Sequence, residues 1–458
     1  MNAAGFTLFF GYSYFTGNKT KAGLFATTIL GVFIFFGAFQ DFLSSIKVTA
    51  TLSSLPFLLP VTLFFLFLFF VWLQFRKAVP QLLLNYINLI LFIFILFDLV
   101  QSIKTAVSES TDNINRPSVL NICDSCTKPS VYLVVLDEYA GDYTLKNFFS
   151  FDNSFFYNSL SQKGFHIADS SVSNYGMTVL SMASMLNMDY LNSNEIVAEN
   201  KHYTYRKAIE QIKTNSVTSF FSREGYQIIN YSFFDLQESP AMIKNDLWGG
   251  NIRLYTNQTL YGRIKKSLPL YLASKNISNY FIQQVENEYL DQMNAALSES
   301  VEREKLQDTN SAKPSFTYIH LNIPHEPFLM DSSGNRISEK SRRQYTAEQK
   351  QAAYVQYLVY CNKRILKWVD EIQAASKRKA VILIMSDHGT RPLLPKDQLH
   401  KRMDNLNAIY FPGADYSKWY KGISNVNQFR LVFNQLFKQT FSLKPDREAL
   451  KQLNSVNK

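Results

Sequence analysis

The stretch 380-AVILIMSDHGT-390 decides how the larger part of this chain is read. An unbroken apolar run is followed at once by Ser, Asp, His and Gly. A strand with one wet face alternates apolar and polar residues, whereas an unbroken run of this kind is buried on both faces. Five further β-rich runs follow or precede it: 131-VYLVVL-136, 164-GFHIADSS-171, 226-YQIINYSFF-234, 316-FTYIHLNI-323 and 407-NAIYFP-412. Helical stretches separate most of them. Tyr354 to Ala375 carries Tyr357, Val359, Tyr360, Ile365, Leu366 and Val369 on a helical period, and Val426 to Phe441 is another. Strands alternating with helices predict an α/β domain, a mainly parallel sheet with helices on both faces. In such folds chemistry gathers at the carboxyl ends of the strands.

Those ends carry reactive groups. The first run leads into 137-DEYAGDY-143, the fourth into 324-PHEPF-328 and the fifth into 386-SDHGTR-391. Thr178 opens a predicted helix in 173-SNYGMTVLSMASML-186, whose Val179, Leu180, Met182, Met185 and Leu186 suit packing against the sheet. Carboxylates with neutral imidazole suit a divalent ion. A threonine hydroxyl needs a metal or a base before it attacks anything. At a helix N-terminus the backbone N–H groups favour an anionic group such as a phosphoryl or sulfuryl. Taken singly, each feature has an ordinary reading: Asp after a strand caps a helix, and Asp-His-Gly makes a turn. Their joint placement at separate strand ends is what points to a site.

Upstream, the composition changes. Residues 1–104 hold six Lys/Arg against two Asp/Glu, the remainder 41 against 35, and the formal charge is +10. A mild surplus spread over the larger part is no argument for nucleic acid and suits phosphate-bearing or lipid surfaces. Val48 to Phe75 has no charged residue, and Ala22 to Gln40 and Ala78 to Phe97 are similarly apolar. With the shorter stretch Ala3 to Thr16, three to four membrane helices are expected over 1–104. Lys19 and Lys21 lie in one loop and Arg76 and Lys77 in another, with Lys47 alone between. Positive loops stay inside, which puts the large domain outside the cytoplasm. A linker at 105–129, a catalytic domain at 130–441 and a C-terminal tail at 442–458 complete the division. Three cysteines are too few for a disulfide framework; Cys123 and Cys126 form a local pair or stay free thiols.

The order VVLD, a hydroxyl at a helix start, H-x-P and SDHG resembles the alkaline phosphatase and sulfatase superfamily. The likeness runs from about Pro129 to Phe437. With membrane helices ahead of it, the chain is most similar to membrane-anchored sulfatase-like proteins, among them lipoteichoic acid synthases and lipid A phosphoethanolamine transferases. The resemblance implies metal ligation by Asp137, Thr178, Asp387 and His388, with Glu138 as an extra ligand. It makes Thr178 the nucleophile and gives His325 a role at the transferred group or the leaving oxygen. It places Arg391 and His400 in contact with substrate; His320 and His400 are the candidates for further metal or substrate contacts. One divalent ion is expected, Zn or Mn ahead of Mg or Ca. The sequence T-V-L-S-M lacks the C/S-x-P-x-R motif that formylglycine sulfatases need, which disfavours sulfate-ester hydrolysis.

The expected function is a membrane-anchored, metal-dependent transferase. It moves a phospho-substituted head group (phosphoethanolamine or phosphoglycerol) from a membrane lipid donor to an envelope glycan or lipid acceptor. The setting is a bacterial cytoplasmic (inner) membrane, with the catalytic domain on its extracytoplasmic side. The alternatives are a phosphodiesterase, phosphatase or other sulfatase-like hydrolase with the same site, and a catalytically degenerate membrane scaffold. No nucleic-acid partner is expected and no protein partner is inferable.

Overall fold

The computed structural model describes residues 2–46, 51–111, 122–191, 201–243, 258–306, 313–390, 393, 403–413 and 415–446. The chain divides into two compact units, Met1–Arg116 with Asn251–Asn279, and Pro117–Gly250 with Tyr280–Lys458.

The first unit begins with α1 (Asn2–Thr16), α2 (Lys19–Ser45), α3 (Leu55–Phe75) and α4 (Gln81–Thr111). Asn18 opens α2 by accepting a hydrogen bond from the Lys21 N–H at 3.0 Å, satisfying one of the orphan donors of the first turn. Two of these helices, α2 and α3, are long and apolar enough to cross a membrane. The 15 residues of α1 reach about 22 Å at helical rise, short of the roughly 30 Å hydrocarbon core. The apolar part of α4, Gln81–Phe97, is also shorter than a full span. Phe64, Phe65 and Phe67 on α3 stand about 60% exposed. In water such a surface is an aggregation hazard; in lipid it is the expected one. These helices anchor the chain in a membrane.

The second unit contains β1 (Val131–Leu136), α5 (Asp142–Phe148), α6 (Ser154–Gln162), β2 (His166–Ile167), α7 (Thr178–Asn187), α8 (Lys201–Lys213), α9 (Ser216–Arg223) and β3 (Gln227–Tyr231). A helix of the first unit, α10 (Leu260–Ser274), intervenes. The second unit resumes with α11 (Tyr280–Leu306), β4 (Ser315–Leu321), α12 (Glu339–Arg343), α13 (Ala347–Ala375), β5 (Val381–Ser386), β6 (Asn407–Tyr410) and α14 (Asn425–Leu436).

The six strands form one sheet in the order β2-β6-β5-β1-β4-β3. β1 lies parallel to both β4 and β5, with Val131 opposite Phe316 on one side and Val381 on the other. β3 is parallel to β4, while β6 runs antiparallel to β5 and β2 antiparallel to β6. The double-sided burial read from the sequence has a direct counterpart. Tyr132, Val134 and Leu136 pack into one core with α11 and α13, through Tyr289, Met293, Tyr357 and Trp368. Val131, Leu133 and Val135 pack into another with α7, α9 and α14, through Met182, Met185, Phe221 and Phe433.

Two boundaries differ from the sequence reading. The run at 164–171 yields only a two-residue strand, because β2 is an edge with β6 as its one neighbour. The last helix stops at Leu436 rather than Phe441: Phe437 caps it and Lys438 takes a left-handed φ of 51°, which ends the α-helical path. Cys123 and Cys126 are joined by a disulfide. This loop is tied to Glu224, which accepts from the Cys123 N–H at 3.1 Å and pairs with Lys128 at 3.0 Å.

Candidate active site

β4, β1 and β5 are neighbours in the sheet, so their carboxyl ends open on one edge. β1 delivers Asp137 and Glu138, β5 delivers Asp387 and His388, and β4 carries His320 on its last turn of pleat. The end of β5 is held firmly. The Ser386 carbonyl accepts from the side-chain amides of Asn405 and Asn425 at 2.8 and 2.9 Å, and the Ser386 hydroxyl donates to the His388 carbonyl at 2.6 Å. The Asp387 carboxylate accepts the backbone N–H groups of Glu138 (3.1 Å) and His388 (2.8 Å). Thus one strand end clips the next.

Asp137, Asp387 and His388 are buried and offer ligand atoms that all lie within 4.8 Å of one another. The His388 Nδ1–H donates to the Gly389 carbonyl at 2.8 Å. That hydrogen bond fixes the tautomer and turns the Nε2 lone pair inward. Nε2 then sits 3.2 Å from Asp387 Oδ2 and 3.2 Å from Thr178 Oγ1. A lone pair facing a carboxylate at that distance is the arrangement a cation satisfies. Asp387 Oδ2 is itself buried and takes no backbone N–H, since both of those bonds go to Oδ1. Two carboxylates and one imidazole, with a hydroxyl beside them, are donors suited to a divalent ion, so these residues fit one.

The charges around this group are graded. Burial pushes the Asp387 carboxyl up, but His388, His320, the Thr178 hydroxyl and the Glu138 N–H outweigh it, and the net direction is down. Asp387 is therefore ionised. His320 is fully buried, and desolvation lowers its pKa to about 4. Burial, followed by the charges of Asp387 and Asp137, holds the Tyr318 phenol protonated. Tyr318 OH and His320 Nδ1 lie 2.7 Å apart; with the phenol donating, the imidazole proton is on Nε2, 3.9 Å from Asp137 Oδ2. His320 thus stands behind Asp137, away from solvent.

Thr178 is the first residue of α7, as its position after Asn-Tyr-Gly predicts. The N-cap is Met177, which makes no side-chain cap hydrogen bond. Among the described residues no side chain caps these first-turn N–H groups, which suit an anion on the Thr178 oxygen. Ser181, one turn further on, donates to the Asp387 carbonyl and locks the start of α7 to the end of β5. Across the site, His325 Nε2 lies 3.6 Å from Glu138 Oε1. Glu138 adopts a left-handed φ of 60°. Its carbonyl accepts from Tyr354 OH at 2.8 Å, and the same oxygen of Tyr354 accepts from the Ala140 N–H at 3.0 Å. Arg391 and His400 lie outside the described residues.

The sequence reading missed Ser181, Tyr318 and Tyr354. Two of these had a local signal: Ser181 is on the Thr178 face of its helix at i+3, and Tyr318 shares a strand face with His320 at i+2. Tyr354 had none, being brought in from α13 by the fold.

Comparison with known proteins identifies the family. The family model described as Sulfatase matches residues 129–440. No curated protein matches the chain. Among solved structures, the chain is similar to the C-terminal periplasmic domain of EcEptC from Escherichia coli in complex with Zn. Identity is 11%, coverage 71% of this chain and 87% of that one, and the TM-score 0.42. For the periplasmic domain of phosphoethanolamine transferase EptC from Campylobacter jejuni the values are 12%, 72%, 96% and 0.41. For the integral membrane protein lipooligosaccharide phosphoethanolamine transferase A from Neisseria meningitidis they are 12%, 77%, 66% and 0.41.

Proposed function

Because the chain belongs to the sulfatase family, and so is a sulfatase-like phosphotransferase or hydrolase, we propose that it transfers a phospho-substituted head group. The donor is a membrane lipid, the acceptor is a hydroxyl of an envelope glycan or lipid, and Thr178 carries the group between them. The observation that carries this reading is the Thr178 hydroxyl at an uncapped helix N-terminus, 3.2 Å from His388 Nε2.

A divalent ion held by Asp137, Asp387, His388 and the Thr178 oxygen, Zn or Mn by the donor set, would acidify that hydroxyl and offset phosphoryl charge. The chain's own residues do the rest. Thr178 Oγ1 bonds to phosphorus as the phosphorus–oxygen bond to the diacylglycerol breaks. The α7 N–H groups receive the phosphoryl oxygens as their charge develops. His325 gives a proton to the departing lipid oxygen and takes one from the acceptor hydroxyl in the second step. The acceptor oxygen then bonds to phosphorus and Thr178 Oγ1 is released as the same alkoxide that attacked, its proton having left to solvent before the first step, so atoms and protons balance over the cycle. Glu138 Oε1, 3.6 Å from His325 Nε2, keeps the imidazole turned toward the site.

The membrane anchor supports transfer from lipid, since it keeps the site near its donor. The Cys123–Cys126 disulfide supports an oxidising, extracytoplasmic compartment, here the outer side of a bacterial cytoplasmic membrane. Mass spectrometry of the purified chain after incubation with membrane lipids tests the proposal. A phospho-substituted adduct on the peptide bearing Thr178 is expected, and its mass names the head group. An adduct elsewhere, or turnover without one, would remove Thr178 from the nucleophile role.

A further inference from the structure

The segment 258–279 lies between two elements of the catalytic unit in sequence, yet it belongs to the membrane unit in space. Its helix, α10, is fastened to α2. Arg263 pairs with Asp41 at 2.6 Å and donates to the Gly37 carbonyl at 3.2 Å. The Gln258 carbonyl accepts from the Gly37 N–H at 2.7 Å. Leu260 and Ile264 pack on a small cluster of Phe36, Leu55 and Leu58. Every one of these contacts falls where α2 ends and α3 begins, at a single end of the membrane helices.

Ala273 is buried too, but part of α10 beyond these contacts is exposed. Tyr261, Leu268 and Tyr271 lie on the same side of the helix as the packed Ile264, at spacings of three, four and three through it, which makes one stripe. Tyr261, Leu268 and Tyr271 are 58%, 40% and 37% exposed. Just past the helix, Ile277 is 65% exposed. Phe39 and Phe42 on α2 and Phe57 on α3, near the end of α2 and the start of α3, are exposed apolar residues as well. Around it stand Arg263, Lys265, Lys266 and Lys275, and residues 258–279 contain no Asp or Glu. Aromatic and leucine side chains along one stripe, with Leu270 (58% exposed) on the far side and basic but no acidic residues in the segment itself, suit a helix that lies in the head-group layer of a phospholipid bilayer.

We propose that α10 is an interfacial membrane helix. It returns from the catalytic unit to the bilayer surface, sinks Tyr261, Leu268 and Tyr271 into the acyl boundary, and turns Lys266 toward water and phosphate. The Arg263–Asp41 pair sets its depth by holding it to the end of α2. The occupant of the apolar stripe is therefore lipid, not a second protein. The chain thus meets the membrane twice, once through its N-terminal helices and once through this returning helix. The proposal is independent of the transfer reaction and stands or falls without it.

Site-directed spin labelling of the full chain in phospholipid nanodiscs tests it. Cys123 and Cys126 are paired and Cys361 is buried, so a single introduced thiol is labelled cleanly. Leu268→Cys and Tyr271→Cys labels are expected to relax more with oxygen than with a water-soluble nickel chelate. The Lys266→Cys label is expected to show the reverse. Leu268 and Tyr271 labels that respond mainly to the nickel chelate would place the helix in water and overturn the proposal. Labels there that respond to neither reagent would show a protein surface on the stripe and overturn it equally. A lipid-like response at Lys266 as well would make the helix a buried one and reject the interfacial orientation.

Discussion

At the scale of single residues, the site depends on where protons and lone pairs are held. His388 presents Nε2 inward only because Nδ1 is committed to the Gly389 carbonyl, and Asp387 stays ionised in a dry setting because four polar neighbours outweigh its burial. Thr178 is the half-buried member of this group and the replaceable one. Thr178→Ala removes a half-buried hydroxyl, so the folded chain should melt as before. Head-group release from labelled lipid should fall by about three orders of magnitude or more, the scale seen when a hydroxyl nucleophile is deleted. Comparable turnover in the variant would refute the role. Asp137, Asp387 and His388 were legible in the sequence because they follow apolar runs, and Thr178 because it follows Asn-Tyr-Gly at a helix start. Tyr354 was not, since it sits 216 residues from the carbonyl it holds, and only the folded sheet brings α13 to β1.

At the scale of elements, the strands were readable because both faces of β1 and β5 are buried, which leaves no polar residue to blur the pattern. The edge strand and the end of α14 were misjudged by a few residues, where one neighbour or one left-handed residue decides. The element that escaped was α10: its surroundings read as soluble, and its signals were the missing acids and the spaced Tyr and Leu. A further element-level device is the short segment around Asp404, which caps α5. Its carboxylate accepts from the Thr144 N–H at 2.8 Å, and a Cβ on Gly141 would fall 2.3 Å from Asp404 Oδ1, so the approach requires glycine. Burial raises the Asp404 pKa above its ordinary value of 3.8, the Thr144 hydrogen bonds notwithstanding. A raised carboxyl contributes its stability at pH below the unfolded value and loses it as pH rises through the folded value. Asp404→Asn keeps an acceptor for Thr144 without the charge. Unfolding free energies of the two chains should converge in acid and separate in favour of Asn toward neutrality. Parallel curves would show that this carboxylate is not strained by its setting.

At the scale of the whole molecule, a membrane unit and a catalytic unit share one chain. If the catalytic unit faces outward, Phe155→Cys, 77% exposed on α6, should react with a membrane-impermeant maleimide in intact cells. Labelling only after lysis would reverse the orientation. Binding a divalent ion should stabilise the fold as a whole, by about 2.7 kcal/mol at a hundredfold excess over the dissociation constant, read as a rise in melting temperature with Zn or Mn. Asp387→Asn should lose most of that gain; an equal rise in the variant would put the ion elsewhere. The backbone of Glu138 carries a longer consequence. A glutamate with φ 60° occupies a conformation that L-residues other than Asn and Asp adopt reluctantly, and here its carboxylate shares a strand-end edge with those of Asp137 and Asp387. Glu138→Asn should therefore melt higher in the absence of metal while turning over more slowly. Durability and chemistry pull this position in opposite directions, so libraries sorted for heat resistance should shed Glu138 early and libraries sorted for turnover should restore it.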